Sequence, residues 1–169
     1  MGIDVILEYF SQYGIIFLFV IVFLEYLNLP GLPAGIIMPA AGVLISNSEM
    51  NFIVAIIISV LAGLLGSWAL YAVGRFGGNP LLEKYIRKFP KHKSLIEKNI
   101  EFMNKKGDMG VFLGKLIPMV RTLISIPAGL AKMNFVKFSI YSTLGIFLWN
   151  TAFITFGYVL GDKFLKIVS

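Results

Sequence analysis

FIVAIIISVLAGLLGSWALYAVG, residues 52–74, is a run of 23 residues without one charged side chain. As a helix it is long enough to cross the ~30 Å hydrocarbon core of a bilayer, and core helices of soluble domains rarely stay apolar for so long. A second run, FSIYSTLGIFLWNTAFITFGYVLG over residues 138–161, adds 24 more uncharged residues. The whole composition agrees: 57% of the 169 residues are hydrophobic and 14% are charged, against about 25% charged in soluble domains. The two runs read as transmembrane helices of an all-α, polytopic membrane protein.

Charge is concentrated between them. Residues 75–107 hold nine of the fifteen cations (Arg75, Lys84, Arg87, Lys88, Lys91, Lys93, Lys98, Lys105, Lys106) and three acids, Glu83, Glu97 and Glu101. That surplus equals the net charge of +6, so the remainder of the chain balances to zero. A basic patch can bind nucleic acid, but between two membrane spans it follows the positive-inside rule and places this linker in the cytoplasm. Leu81, Leu82, Tyr85, Ile86 and Phe89 fall at helical spacing, as do Leu95, Ile96, Ile100 and Met103, with Pro90 between the two sets. Such a basic amphipathic linker is expected to lie on an anionic leaflet.

Composition also excludes chemistries. There is no cysteine, which removes disulfides, thiolate metal sites and thiol catalysis. The single histidine, His92, sits among lysines and reads as solvated. The start carries Asp4 and Glu8 and no cation, unlike a cleavable signal peptide. No nucleophile–base pair, Walker loop or metal cluster appears, so no hydrolytic activity and no cofactor are expected.

Two short matches suggest an internal repeat: Met50-Asn51-Phe52-Ile53-Val54 with Met133-Asn134-Phe135-Val136-Lys137, and Pro39-Ala40-Ala41-Gly42 with Pro127-Ala128-Gly129. Each span then ends on Tyr-x-x-Gly, Tyr71 to Gly74 and Tyr158 to Gly161. Each unit opens with a broken apolar stretch. In the first, Gly14–Tyr26 and Gly35–Ser46 flank Asn28-Leu29-Pro30-Gly31-Leu32-Pro33. In the second, Met109–Leu116 and Thr122–Leu130 flank Pro118 and Arg121. These halves are too short to span, so both read as re-entrant hairpins, whose irregular backbone must be buried in protein or line a wet cavity. The expected organisation is a single membrane domain over residues 1–169. Repeat one covers about 14–74, the linker 75–107 and repeat two about 108–161. The two hairpins come out inverted, each followed by a transmembrane helix. Lys132 and Lys137 then join the cytoplasmic side, with Lys163 and Lys166 opposite.

Three ionisable residues fall within the hairpins: Glu25, Lys115 and Arg121. Each costs about 2.5 to 3.5 kcal/mol at the bilayer centre on insertion scales, so such residues are functional candidates. Glu25 is expected to pair with one cation near a shared axis, leaving the other for an anion. The helix start at Arg121-Thr122 would add free N–H groups. Arg forks onto phosphate and Lys supplies a point charge. The competing reading is that Lys115 and Glu25 snorkel to the interfaces and only set hairpin depth.

These residues resemble the DedA family, also called VTT-domain or SNARE-associated Golgi proteins. The resemblance rests on Glu25 before Pro30 and Pro33, then Ala41-Gly42, and on Gly66-x4-Tyr71-x2-Gly74-Arg75-x2-Gly78. It continues in Gly107-x7-Lys115-x2-Pro118-x2-Arg121 and in Ala128-Gly129-x3-Met133-x-Phe135. It implies facing re-entrant hairpins in a bacterial inner membrane and lipid traffic: recycling of undecaprenyl phosphate or translocation of phospholipid. Tyr71 and Arg75 thereby join Arg121, Lys115, Glu25 and Thr122 as candidate substrate-binding residues. Three positions depart from the pattern: Gly35 and Ser67 stand where the family has acids, and Lys115 replaces an arginine. The reading is a flippase or scramblase for an anionic lipid, with no nucleic-acid partner and with self-association compatible. A proton-coupled exporter using Glu25, or a non-transporting scaffold, are the alternatives.

Overall fold

Asn51 starts the first span. Its Oδ1 accepts hydrogen bonds from the N–H groups of Ile53 and Val54, at 2.9 and 3.3 Å, which satisfies donors that every helix start leaves open. Asn134 does the same for Val136 and Lys137, at 2.9 and 3.2 Å. In the computed structural model, which describes residues 3–28 and 35–161 apart from the side chains of residues 3–12, 79, 81, 82, 85 and 95, all regular elements are helical. They are α1 (Ile3–Tyr26), α2 (Ile37–Ser46), α3 (Phe52–Lys88), a 3-10 turn (Pro90–His92), α4 (Lys93–Lys106), α5 (Met109–Lys115), α6 (Val120–Leu123), α7 (Ser125–Leu130) and α8 (Phe135–Leu160). The Pro30–Pro33 breaker, Lys163 and Lys166 lie outside the described residues, as do the side chains of Leu81, Leu82, Tyr85 and Leu95.

Both spans are long apolar helices, Phe52–Gly78 and Phe135–Leu160. Ile53, Ile57, Leu61 and Leu65 recur every fourth residue along α3, each at least 40% exposed; Val136, Ile140, Leu144 and Leu148 form the matching stripe on α8. Such apolar stripes face lipid rather than water. By contrast α2, of 10 residues, and α5, of 7, reach roughly 15 and 10 Å at about 1.5 Å per residue.

The first span does not stop at Gly74. The span helix runs on to Gly78, whose φ of 54° only glycine adopts easily, and a second helical stretch follows that break as far as Lys88. Charge at Arg75 ends the apolar stretch, but charge does not break backbone hydrogen bonds. The first part of the linker is therefore a separate helical stretch that follows the break at Gly78. The second part, α4, turns its apolar residues inward: Ile96 and Met103 are buried, and the helix packs on α5, α6 and α7. Its lysines point outward, Lys105 pairing with Glu101 at 2.7 Å on the exposed side.

The chain forms two compact units. Unit 1 joins the residues up to Gly63 with those from Phe147, and unit 2 is Leu64–Ile146. Within unit 1, α2 meets α8 backbone to backbone. A Cβ at Gly42 would stand 2.1 Å from the Ile154 carbonyl oxygen, and one at Gly157 would stand 1.9 Å from that of Pro39. Within unit 2, α7 meets α3 in the same way. A Cβ at Gly74 would lie 2.2 Å from the Ile126 oxygen, and one at Gly129 would lie 2.1 Å from that of Tyr71. Small residues allow such close approach between helices in lipid. The shift that carries Asn51 to Asn134 also carries Gly74 to Gly157. The Tyr-x-x-Gly match, which pairs Gly74 with Gly161, is thus one helical turn out of step with the packing.

Candidate functional site

Unit 2 buries two cations in its short helices. Lys115, the last residue of α5, is 1% exposed, and Arg121 on α6 is fully buried. Between them the chain turns through Leu116–Met119, where Met119 takes a left-handed φ of 65° that is uncommon outside glycine. The Lys115 ammonium donates to Ser67 Oγ on α3 at 2.8 Å and to Ser125 Oγ on α7 at 3.0 Å. Its stem lies against Gly145 of α8, where a Cβ would come within 2.4 Å of Lys115 Cβ. Residues of α3, α7 and α8 thus meet Lys115 of α5, two at its amine and one at its stem. The two sequence departures Ser67 and Lys115 are direct partners.

Arg121, Thr122 and Ser125 share the wholly buried stretch 121–129. The expected free N–H groups at Arg121-Thr122 are partly used: the Arg121 N–H donates to the Ile117 carbonyl at 3.0 Å. With only four residues, α6 also has little macrodipole, so positive potential here comes from the side chains. The Thr122 hydroxyl donates to the Met119 carbonyl at 3.4 Å.

Tyr71 and Arg75 form a separate group. The Tyr71 hydroxyl donates to the Met133 carbonyl, and Arg75 Nη1 donates to Tyr71 Oη at 3.2 Å and to the same carbonyl at 3.3 Å. Tyr71 stacks on Phe138 with ring centroids 4.5 Å apart. Together they tie the turn after α7 to α3.

Glu25 belongs to unit 1, where it is 2% exposed in the last turn of α1. Its neighbour Tyr26 donates to Asn150 Oδ1 at 2.9 Å, and Asn150 Nδ2 donates to Ser59 Oγ at 3.3 Å. A cleft of about 1010 Å³ in the same unit lies between Tyr13–Ile16 and Ser46–Val54; Glu49 lines it, and among the described residues no cation does.

Sequence reading missed Tyr26, Asn150, Ser59, Ser125 and Ser142. Ser142 is fully buried in α8, and its hydroxyl has no partner among the described residues; Ser139 by contrast bonds back to the Phe135 carbonyl at 2.8 Å. The available signal was small polar residues inside charge-free spans, with Ser59 and Ser142 related by the same shift as Asn51 and Asn134. His92 stacks on Phe89, and among the described residues no three potential metal ligands cluster.

Residues 30–159 match the VTT domain. The chain is 36% identical over 132 residues to undecaprenyl phosphate transporter A of Bacillus subtilis, covering 78% of this chain and 67% of the relative. It is 33% identical over 170 residues to undecaprenyl phosphate transporter A of Staphylococcus aureus, covering 98% and 83%. The uncharacterized membrane protein YkoX of Bacillus subtilis is 32% identical over 143 residues; these make up 85% of this chain and 65% of YkoX, so the chain spans just under two thirds of that relative. No solved structure matches the chain.

Proposed function

Because this chain belongs to the VTT-domain family, also called DedA, we propose that it carries a polyprenyl phosphate lipid such as undecaprenyl phosphate across a bacterial cell membrane, acting as a flippase or scramblase. The observation that carries this reading is the pair of buried cations, Lys115 and Arg121, set among the buried hydroxyls Ser67, Thr122 and Ser125. Cations inside a membrane are retained at a cost of several kcal/mol each, which marks both residues as functional candidates. A phosphate monoester suits the set: the guanidinium bonds it bidentately, the ammonium adds a point charge, and the hydroxyls donate. The relatives named for undecaprenyl phosphate support the same substrate class. In this reading the broken segments α1–α2 and α5–α7 re-enter the membrane from opposite faces, and residues 75–107 are cytoplasmic. Tyr71 and Arg75 brace the segment from the α3 side.

Arg121 is the test. Arg121→Lys keeps the charge and loses the fork, and should weaken undecaprenyl phosphate binding by about 1 to 3 kcal/mol, the scale of a charge-assisted hydrogen bond. Arg121→Ala should weaken it further. Native mass spectrometry of purified protein reads the order; parent-level binding by Arg121→Ala would overturn the phosphate site.

A further inference from the structure

One end of unit 2 leaves two cations without an acid among the described residues. Arg75 closes the uncharged run of α3, and its guanidinium is held at one nitrogen only. Nη1 donates to Tyr71 Oη at 3.2 Å and to the Met133 carbonyl at 3.3 Å. The side chain is exposed, and Nε and Nη2 make no hydrogen bond among the described residues. Lys132 precedes Met133, so chain geometry alone puts its Cα within about 10 Å of Arg75 Nη1. Its φ of 52° is left-handed and uncommon outside glycine. Glycine would take that turn with less strain, so the turn itself gives no reason for a lysine there. Neither cation has a carboxylate within ion-pair distance among the described residues; Asp108 is held by Lys137 at 2.8 Å. Aromatic surface adjoins the pair. Phe76 is 85% exposed and Phe135 46%, and the Phe135 ring stands against Tyr71 with centroids 5.8 Å apart.

We propose that Arg75 and Lys132 hold the headgroup of an anionic glycerophospholipid of the phosphatidylglycerol class, resident on the protein rather than transported by it. The proposal stands apart from the reading of Lys115 and Arg121. The place suits a headgroup: Arg75 is the first charge after the 23 uncharged residues 52–74, and the exposed apolar stripe of α8 begins at Val136, four residues after Lys132. Cations at such an edge stand where hydrocarbon gives way to headgroups. The chemistry suits it as well. Anchored at Nη1, the guanidinium has lost much of its freedom, and its open Nε–Nη2 edge is a fork for two phosphate oxygens. Lys132 adds a point charge, and the exposed phenyl rings suit the acyl chains beneath the headgroup. A soluble anion would gain nothing from those rings, which favours a lipid. The bound phosphate would bridge α3 and the turn between α7 and α8, adding to the tie that Tyr71 and Arg75 already make.

The experiment measures phosphatidylglycerol binding to the full chain in detergent by native mass spectrometry, with zwitterionic phosphatidylcholine as the comparison. Arg75→Gln keeps a donor for the Met133 carbonyl and removes the charge. Lys132→Gly removes the charge and relieves the left-handed backbone. Each should weaken phosphatidylglycerol about fivefold, the effect of one basic residue at an anionic surface, and leave phosphatidylcholine unchanged. Lys132→Gly should also hold or raise the unfolding temperature. Replacing the exposed linker lysines Lys84 and Lys98 by glutamine should leave binding at the parent level, and excess glycerol 3-phosphate should not compete. Parent-level phosphatidylglycerol binding by Arg75→Gln and Lys132→Gly combined overturns the proposal. An equal loss in the Lys84, Lys98 variant makes the attraction diffuse over the linker, and competition by glycerol 3-phosphate makes the site one for a soluble anion; either overturns it too. So does an equal loss of phosphatidylcholine, which would make the two residues structural.

Discussion

Lys115 holds its ammonium between two serine hydroxyls, and that choice of partner has consequences. A hydroxyl solvates a cation without neutralising it, whereas a carboxylate at position 67 would. Lys115→Met keeps an unbranched stem against Gly145 and removes the charge. Taking away a buried cation relieves its desolvation cost, so the variant should be at least as stable as the parent while prenyl phosphate binding falls about tenfold or more. Thermal unfolding and binding measured on the same preparation check the split. Loss of both would mean that the Lys115–serine contacts hold the fold and not the ligand.

At the scale of elements, the short helices are positioned by glycine. Where α2 meets α8, and where α7 meets α3, backbone touches backbone, and a methyl group has nowhere to go. Gly157→Ala and Gly129→Ala should each cost about 1 to 3 kcal/mol through overpacking, read as a lower unfolding temperature. Gly145→Ala should behave differently. Its Cβ meets the Lys115 stem rather than backbone, so the side chain can shift, and affinity for phosphate should fall more than stability does. Equal effects at positions 129, 145 and 157 would remove the distinction.

For the whole molecule, the testable matter is which ends of the broken segments share a side. The chain has no cysteine of its own, so single cysteines report cleanly. Probes at Gly14 and Asn47 should react from the outer side, and probes at Asp108 and Lys132 from the cytoplasm. Impermeant reagents on intact cells and on inverted vesicles separate the two. Reaction of either pair from opposite sides would replace re-entry by ordinary spanning. The two stripes that face lipid, 53–65 on α3 and 136–148 on α8, place both long helices in the bilayer under either outcome.

The sequence by itself determined the membrane class, the two spans, the breakers that shorten the other helices, and the identity of Glu25, Lys115 and Arg121 as charges in costly places. These are properties of hydropathy and local backbone chemistry, and each is legible within a window of some twenty residues. Even the caps at Asn51 and Asn134 stand in the motif that first suggested a repeat. The tertiary structure decided the rest. Nothing in the sequence near Lys115 says that its amine meets Ser67, 48 positions away, because a serine in an apolar helix looks the same whether it bonds its own backbone or a distant cation. The continuation of the span helix past Arg75 to the break at Gly78 was hidden because charge marks the edge of a membrane and not the end of a helix. The register between glycines was hidden because close approach depends on which backbone lies opposite. The burial of Asn99 in α4 was hidden too, since burial belongs to the fold and not to the residue.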